Sequence, residues 1–143
     1  MELSNFSITT QPIHFASIYP WVEDRNAGAV CSFAGIVREI TDGQRTLHLE
    51  YEAYTEMAAK IMKQIGDEVI SQYLCKRVAM VHRVGKLEIS DIAVVISVSS
   101  AHRDASFQGC QYAIEQLKKR VPIWKKEITE SKAYWVGIGK EEG

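Results

Sequence analysis

The chain has 143 residues, 46% of them hydrophobic and 24% charged, with a formal net charge of -1. That length suits one domain with a real core, here expected to be residues 1–143. The balanced charge argues against a general nucleic-acid binder, and no apolar run is long enough to cross a bilayer. The first residues, MELSNFSITTQPIHF, lack the basic start and long apolar stretch of a secretory signal, so a cytoplasmic protein is expected. Cys31, Cys75 and Cys110 are widely spaced in apolar surroundings, which suits reduced core thiols better than a disulfide framework.

In chain order, NFSITTQPI reads as a short strand closed by Pro12, and HFASIYPWVED as a short helix interrupted near Pro20. GAVCSFAGIVRE has the small and apolar residues of a buried strand. Asp42-Gly43 marks a hairpin, because glycine tolerates the positive φ such turns require. In TLHLEYEAY the alternation places Leu47, Leu49, Tyr51 and Ala53 on one face and His48, Glu50, Glu52 and Tyr54 on the other. A long amphipathic helix follows, with Ala58, Ile61, Ile65 and Val69 at helical intervals and Thr55 able to cap its start. RVAMVHRVGKLEISD reads as a strand, a turn at Gly85 and a short second segment. IAVVISVSS is apolar enough to be a central strand buried on both faces. ASFQGCQYAIEQLKKR makes a helix with a stripe of Phe107, Cys110, Ile114 and Leu117, ended by Pro122, and PIWKKEITES and AYWVGI are two last strands. The fold class is α+β, with helices packed on a largely antiparallel sheet.

The concentration of charge in LKKRVPIWKKE is the main functional clue. Lys118, Lys119 and Arg120 suit the last turn of a helix, where cations meet the negative end of its dipole. Helical phase nevertheless sets Lys118 close to the apolar stripe and turns Lys119 away. A lysine stem can lie along apolar surface while its ammonium reaches a cleft. In an extended segment Ile123, Lys125 and Glu127 share one face and Trp124 and Lys126 the other, so Lys125 and Lys126 cannot both serve one site. Trp124 is read as a core or interface aromatic.

His102 and Arg103 lie between a strand end and a helix start, where free N–H groups favour an anion. Alternatively, Asp104 caps that helix and Arg103 pairs with a surface carboxylate. Gly109, costly in mid-helix, implies close packing against another backbone or a ligand. Arg38 either pairs with Glu39 or Glu50 or joins the other cations on a ligand, and Phe33 reads most simply as core. No P-loop, GxGxxG or metal-ligand spacing is present, so no cofactor is expected, and Ser100, His102 and Asp104 are too close in sequence to converge as a triad. A phosphate- or RNA-binding module and a docking adaptor without chemistry are the rival classes.

GAVCSFAGIVRE, LEYEAYTEMA, VHRVGKLEISDIAVVISVSSAHRDASFQGC and LKKRVPIWKKE, four ordered blocks over nearly the whole chain, resemble the large, catalytic subunit family of molybdopterin synthase. The resemblance implies an α/β hammerhead-like fold with an additional small antiparallel β subdomain. It implies a sulfur transferase of molybdenum-cofactor biosynthesis that converts cyclic pyranopterin monophosphate (precursor Z) to molybdopterin. The two dithiolene sulfurs would come from the thiocarboxylated Gly-Gly carboxyl terminus of a small ubiquitin-like subunit. It further implies a homodimer of large subunits within a heterotetramer, with Lys118 and Lys125 catalytic. Arg38, with Phe33 near it, would bind anion, and His102 and Arg103 would bind substrate phosphate from the neighbouring subunit.

Overall fold

The computed structural model describes residues 5–130 and 133–136. Among them the chain order is β1 (Phe6–Thr9), α1 (Phe15–Val22), β2 (Ala29–Ile36), β3 (Ile40–Thr41), β4 (Gln44–Ala53), α2 (Thr55–Tyr73), β5 (Arg77–Arg83), β6 (Gly85–Glu88), β7 (Ile92–Ser100), α3 (Arg103–Arg120), β8 (Ile123–Thr129) and β9 (Ala133–Val136). One sheet has the order β1-β5-β7-β2, antiparallel except for the parallel β1–β5 pair. The other is antiparallel, with the path β3-β4-β8-β9 and β6 also paired to β4. This is the expected α+β architecture of helices on a largely antiparallel sheet with a second, antiparallel unit, which at five strands is no smaller than the first. No helix among the described residues is long and apolar enough to cross a membrane.

The continuous apolar run of β7 is explained by its two covers. Val94, Ile96 and Val98 join Met62 and Ile65 of α2 and Leu117 of α3 in one core. Val95, with Ala79 and Val81 of β5, packs on Ile18 and Val22 of α1 on the opposite face. Successive strand residues point to opposite faces, so a strand with a helix layer on each side has no polar face.

Four local expectations are corrected. β2 pairs with β7 alone and sits at the sheet's edge, with Val30 and Ile36 36% and 57% exposed, because residue composition reports packing on a face and not strand order. The helix α1 runs through Pro20 to Val22, held by its buried Ile18 and Val22. Thr55 is the first helical residue rather than the cap; Tyr54 occupies the cap position and makes no side-chain capping bond. Phe107 is 59% exposed, and the buried stripe of α3 is Ser106, Gly109, Cys110, Ala113 and Leu117.

Small residues form that stripe because α3 lies close to its neighbours. A Cβ on Gly109 would stand 2.8 Å from Val69 Cγ1 and 3.0 Å from Cys75 Sγ, so the close packing expected of this glycine is against α2 and the segment that follows it. The hairpin at Asp42-Gly43 forms as expected: Thr41 faces Gln44, and the two turn residues have φ of 50° and 78°. Two successive positive φ values match the twist of paired strands. In β4 an irregularity between Thr46 and His48 breaks the alternation, so that Thr46 is buried and Leu47 is 39% exposed. The thiols of Cys31, Cys75 and Cys110 are all free, as expected.

Candidate active site

A cleft of about 280 Å³ opens where the two sheets meet beside the carboxyl end of α3. Phe33, Val94, Leu49 and Ile123 are among its apolar walls, and Arg38, Lys118, Lys125 and Glu127 bring charge to it. Each cation arrives for a local reason. Lys118 follows Ile114 by one helical turn onto the flank of α3 that lines the cleft, while Lys119 and Arg120 do not line it. Pro122 cannot continue the helix; the Val121 N–H closes it by donating to the Leu117 carbonyl at 3.0 Å, and the chain turns into β8.

In β8, Ile123, Lys125 and Glu127 face the cleft, as the period of two requires. On the other side Trp124 packs edge-on against Tyr54 at 4.8 Å, and the Lys126 ammonium lies 5.8 Å from the Trp135 ring centroid. Arg38, just beyond β2, donates from Nε to Thr41 Oγ1 at 3.2 Å. The carboxylates that were candidate partners for Arg38 are engaged elsewhere, Glu39 with Arg45 at 2.9 Å and Glu50 with His48 at 3.2 Å. Arg38 thus pairs with neither Glu39 nor Glu50 among the described residues, and it lines the cleft.

His102 and Arg103 are not brought there. They stand exposed at the amino end of α3, Arg103 fifteen residues before Lys118 and His102 one further, which at ~1.5 Å per residue is more than about 20 Å along the helix. Ser100 Oγ donates to the His102 carbonyl and contacts Ser106 Oγ, which fixes this strand-to-helix corner. His102 itself holds the cap position, so Asp104 is not the cap; it lies in the first turn, where its charge suits the dipole. Arg103 makes no ion pair among the described residues.

Thr41, Thr46, Tyr51, His82 and Glu127 are polar residues of the cleft that sequence pattern did not mark as site residues. Glu127 is buried and accepts a 2.8 Å hydrogen bond from Thr46 Oγ1, also buried; Glu127 had been placed on the Lys125 face, but Thr46 was hidden by the irregularity in β4. His82 is the penultimate residue of β5 and lines the cleft with its ring edge-on to Tyr51 at 4.9 Å. Burial pushes its pKa down to about 4, the Lys125 charge adds to the shift, and a hydrogen bond between Nδ1 and the Arg83 carbonyl at 2.8 Å opposes it. The available signal was a lone polar residue in the apolar run VAMVH.

Three cations against one carboxylate leave the cleft electropositive, and its apolar walls make that charge count for more than it would in water. Such a site can hold an anion and stabilise negative charge that develops during a reaction. The family model described as MoaE protein matches residues 8–120. The molybdopterin synthase catalytic subunit of Halalkalibacterium halodurans is 49% identical over 137 residues, covering 96% of this chain and 88% of that protein. The crystal structure of molybdopterin synthase from Staphylococcus aureus superposes with a TM-score of 0.91 at 46% identity, covering 94% of this chain and 98% of that one. A Helicobacter pylori structure, described as a complex of subunits 1 and 2 of molybdopterin-converting factor, shares the fold at a TM-score of 0.76 and 18% identity, covering 93% of this chain and 90% of that one. On the family match and the 49% identity, the chain belongs to the MoaE family, that of the molybdopterin synthase catalytic subunits.

Proposed function

We propose that the cleft is where this catalytic subunit converts precursor Z, the cyclic pyranopterin monophosphate, to molybdopterin. The observation that carries this reading is the convergence of Lys118, Lys125 and Arg38 from three separate segments on one partly apolar cavity. The reaction brings an anionic sulfur donor to an anionic phosphate ester, which repel one another unless positive charge lies between them. Attack by the thiocarboxylate sulfur forms a carbon–sulfur bond to the pterin side chain, water then cleaves the acyl–sulfur bond to release the donor as a carboxylate, and both steps require proton transfers and stabilisation of oxyanions. Lys118 stands beside the donor's thiocarboxylate and stabilises or protonates the leaving oxygen, Lys125 orients the pterin, and Arg38 helps to hold phosphate against the Phe33 wall.

The donor is the thiocarboxylated Gly-Gly tail of a small ubiquitin-like subunit, the counterpart of subunit 1 in the Helicobacter pylori complex, and the assembly works in the cytoplasm. A tail without side chains suits a narrow channel and pairs through its backbone. His102 and Arg103 lie too far along α3 to serve the cleft of their own chain, which supports a second copy supplying them to hold the phosphate, within a homodimer flanked by two small subunits.

Single-turnover conversion of the cyclic pterin with a thiocarboxylated small subunit tests the reading. Wild type forms the dithiolene product, and Lys118→Ala forms it about a hundredfold more slowly, the scale of losing a group that stabilises an oxyanion. Full activity in Lys118→Ala would refute the assignment. The shared site has its own test. Lys118→Ala and Arg103→Ala are each poor alone, but a heterodimer of the two carries one intact site and regains roughly half of the wild-type rate, as two-fold symmetry requires. No recovery on mixing would refute a site shared between two chains, and an Arg103→Ala variant as active as wild type would place His102 and Arg103 outside the site.

A further inference from the structure

The cations of the cleft can only donate hydrogen bonds, and so can recognise the anionic parts of a ligand but not an N–H edge. A pterin ring carries such an edge in its pyrimidine N–H and amino groups. The polar side chains lining the cleft include two candidate acceptors, Glu127, which already takes a bond from Thr46, and His82.

His82 is built for that task. A carbonyl oxygen cannot donate, so the 2.8 Å contact with Arg83 places the ring proton on Nδ1 and leaves the lone pair on Nε2. Among the described residues Nε2 has no hydrogen-bond partner. His82 is only 5% exposed and lines the cleft, so its unpaired ring nitrogen is available to a ligand bound there. The ring is held by Tyr51 on one side, and burial and the Lys125 charge keep it neutral, so it offers an acceptor without cancelling the field of the cations.

We propose that His82 is a further substrate-binding residue of this site, its Nε2 accepting a hydrogen bond from an N–H of the pterin and so fixing which way the ring lies between Lys125 and the apolar wall. The inference rests on the function proposed above and deepens it.

The test is single-turnover sulfur transfer over a range of cyclic pyranopterin monophosphate concentrations with His82→Leu and His82→Gln, alongside wild type and Lys118→Ala, with a thermal melt of each. Both His82 variants give up the Arg83 bond, but glutamine can place an oxygen near the position of Nε2, so the difference between them isolates the acceptor. His82→Leu is expected to raise the half-saturating pterin concentration about tenfold, the scale of one lost hydrogen bond. Its limiting rate should stay within about twofold of wild type, because the binding lost is shared by ground and transition states, and His82→Gln should regain most of the affinity. Unchanged half-saturation in His82→Leu, a lowered limiting rate with unchanged half-saturation, or equal losses in both variants would each overturn the proposal. Failure of wild type to turn over, or no loss in Lys118→Ala, would instead overturn the functional reading and this inference with it.

Discussion

The two faces of residues 117–127 carry the same residue types to different ends. On the cleft face Lys118 and Lys125 line a cavity with apolar walls; one residue further along each element, Lys119 and Lys126 do not. Arg120, also outside the cleft, forks onto Glu68 of α2, with bonds of 2.7 Å and 3.0 Å to the two carboxylate oxygens. Lys126 rests over Trp135. Orientation, set by the helix period on one side of Pro122 and the strand period on the other, divides one basic run into a pair that lines the cleft and a set that does not.

The largest effect expected from this division is on turnover. Lys118→Ala and Lys125→Ala should each slow single-turnover sulfur transfer by about a hundredfold. Lys119→Ala and Lys126→Ala should stay within about twofold, since exposed charges away from a site act on it only through screened, long-range fields. If Lys119→Ala were as damaging as Lys118→Ala, the field of the whole patch would matter, and the division by orientation would fail.

Sequence periodicity made that division legible before any coordinates, because Lys118 and Lys125 are placed by local geometry alone. The two-residue hairpin, the doubly covered β7 and the close packing at Gly109 were legible for the same reason. What local pattern could not supply was the position of β2 at the sheet edge, which depends on strand order. It also failed where a large side chain misled: Phe107 drew the helical stripe one residue out of phase, because the face of α3 that lies on the sheet is made of serine, glycine and alanine. In the site itself, His82 and Thr46 were missed because their strands come from different sheets and meet only at the junction. His102 and Arg103 were legible as an anion site from their place at a helix start, one of two readings, and the family resemblance added the substrate phosphate; within one chain the fold keeps them apart from the lysines.

A smaller effect is expected from the scaffold side, on stability rather than turnover. Arg120 and the Tyr112 hydroxyl, which donates to Glu68 Oε1 at 2.6 Å, hold the Glu68 carboxyl below its ordinary range. A carboxylate depressed in the folded state adds stability above its unfolded pKa and loses it as pH falls through the folded value. Arg120→Ala should therefore cost about 1 kcal/mol near neutral pH, the upper range for a partly exposed pair. The gap from wild type should narrow as the pH drops below the ordinary glutamate range. Denaturant melts at neutral and acidic pH measure both terms, and a gap that stayed constant with pH would mean that Arg120 acts through packing alone.

The smallest effect belongs to Lys126. Its ammonium lies at the outer limit of a cation–π contact with a Trp135 ring that is itself 54% exposed, so the expected loss in Lys126→Ala is about 0.5 kcal/mol. A double-mutant cycle with Trp135→Leu isolates that contact from the general loss of a surface charge. If the coupling were several times larger, β8 and β9 would be joined through this pair, and the outer face of β8 would help to hold Lys125 in place on the inner one. A coupling near the expected value leaves the register of β8 to its backbone pairing with β4 and β9. Lys125 would then be positioned by its strand and by the neighbours that line the cleft.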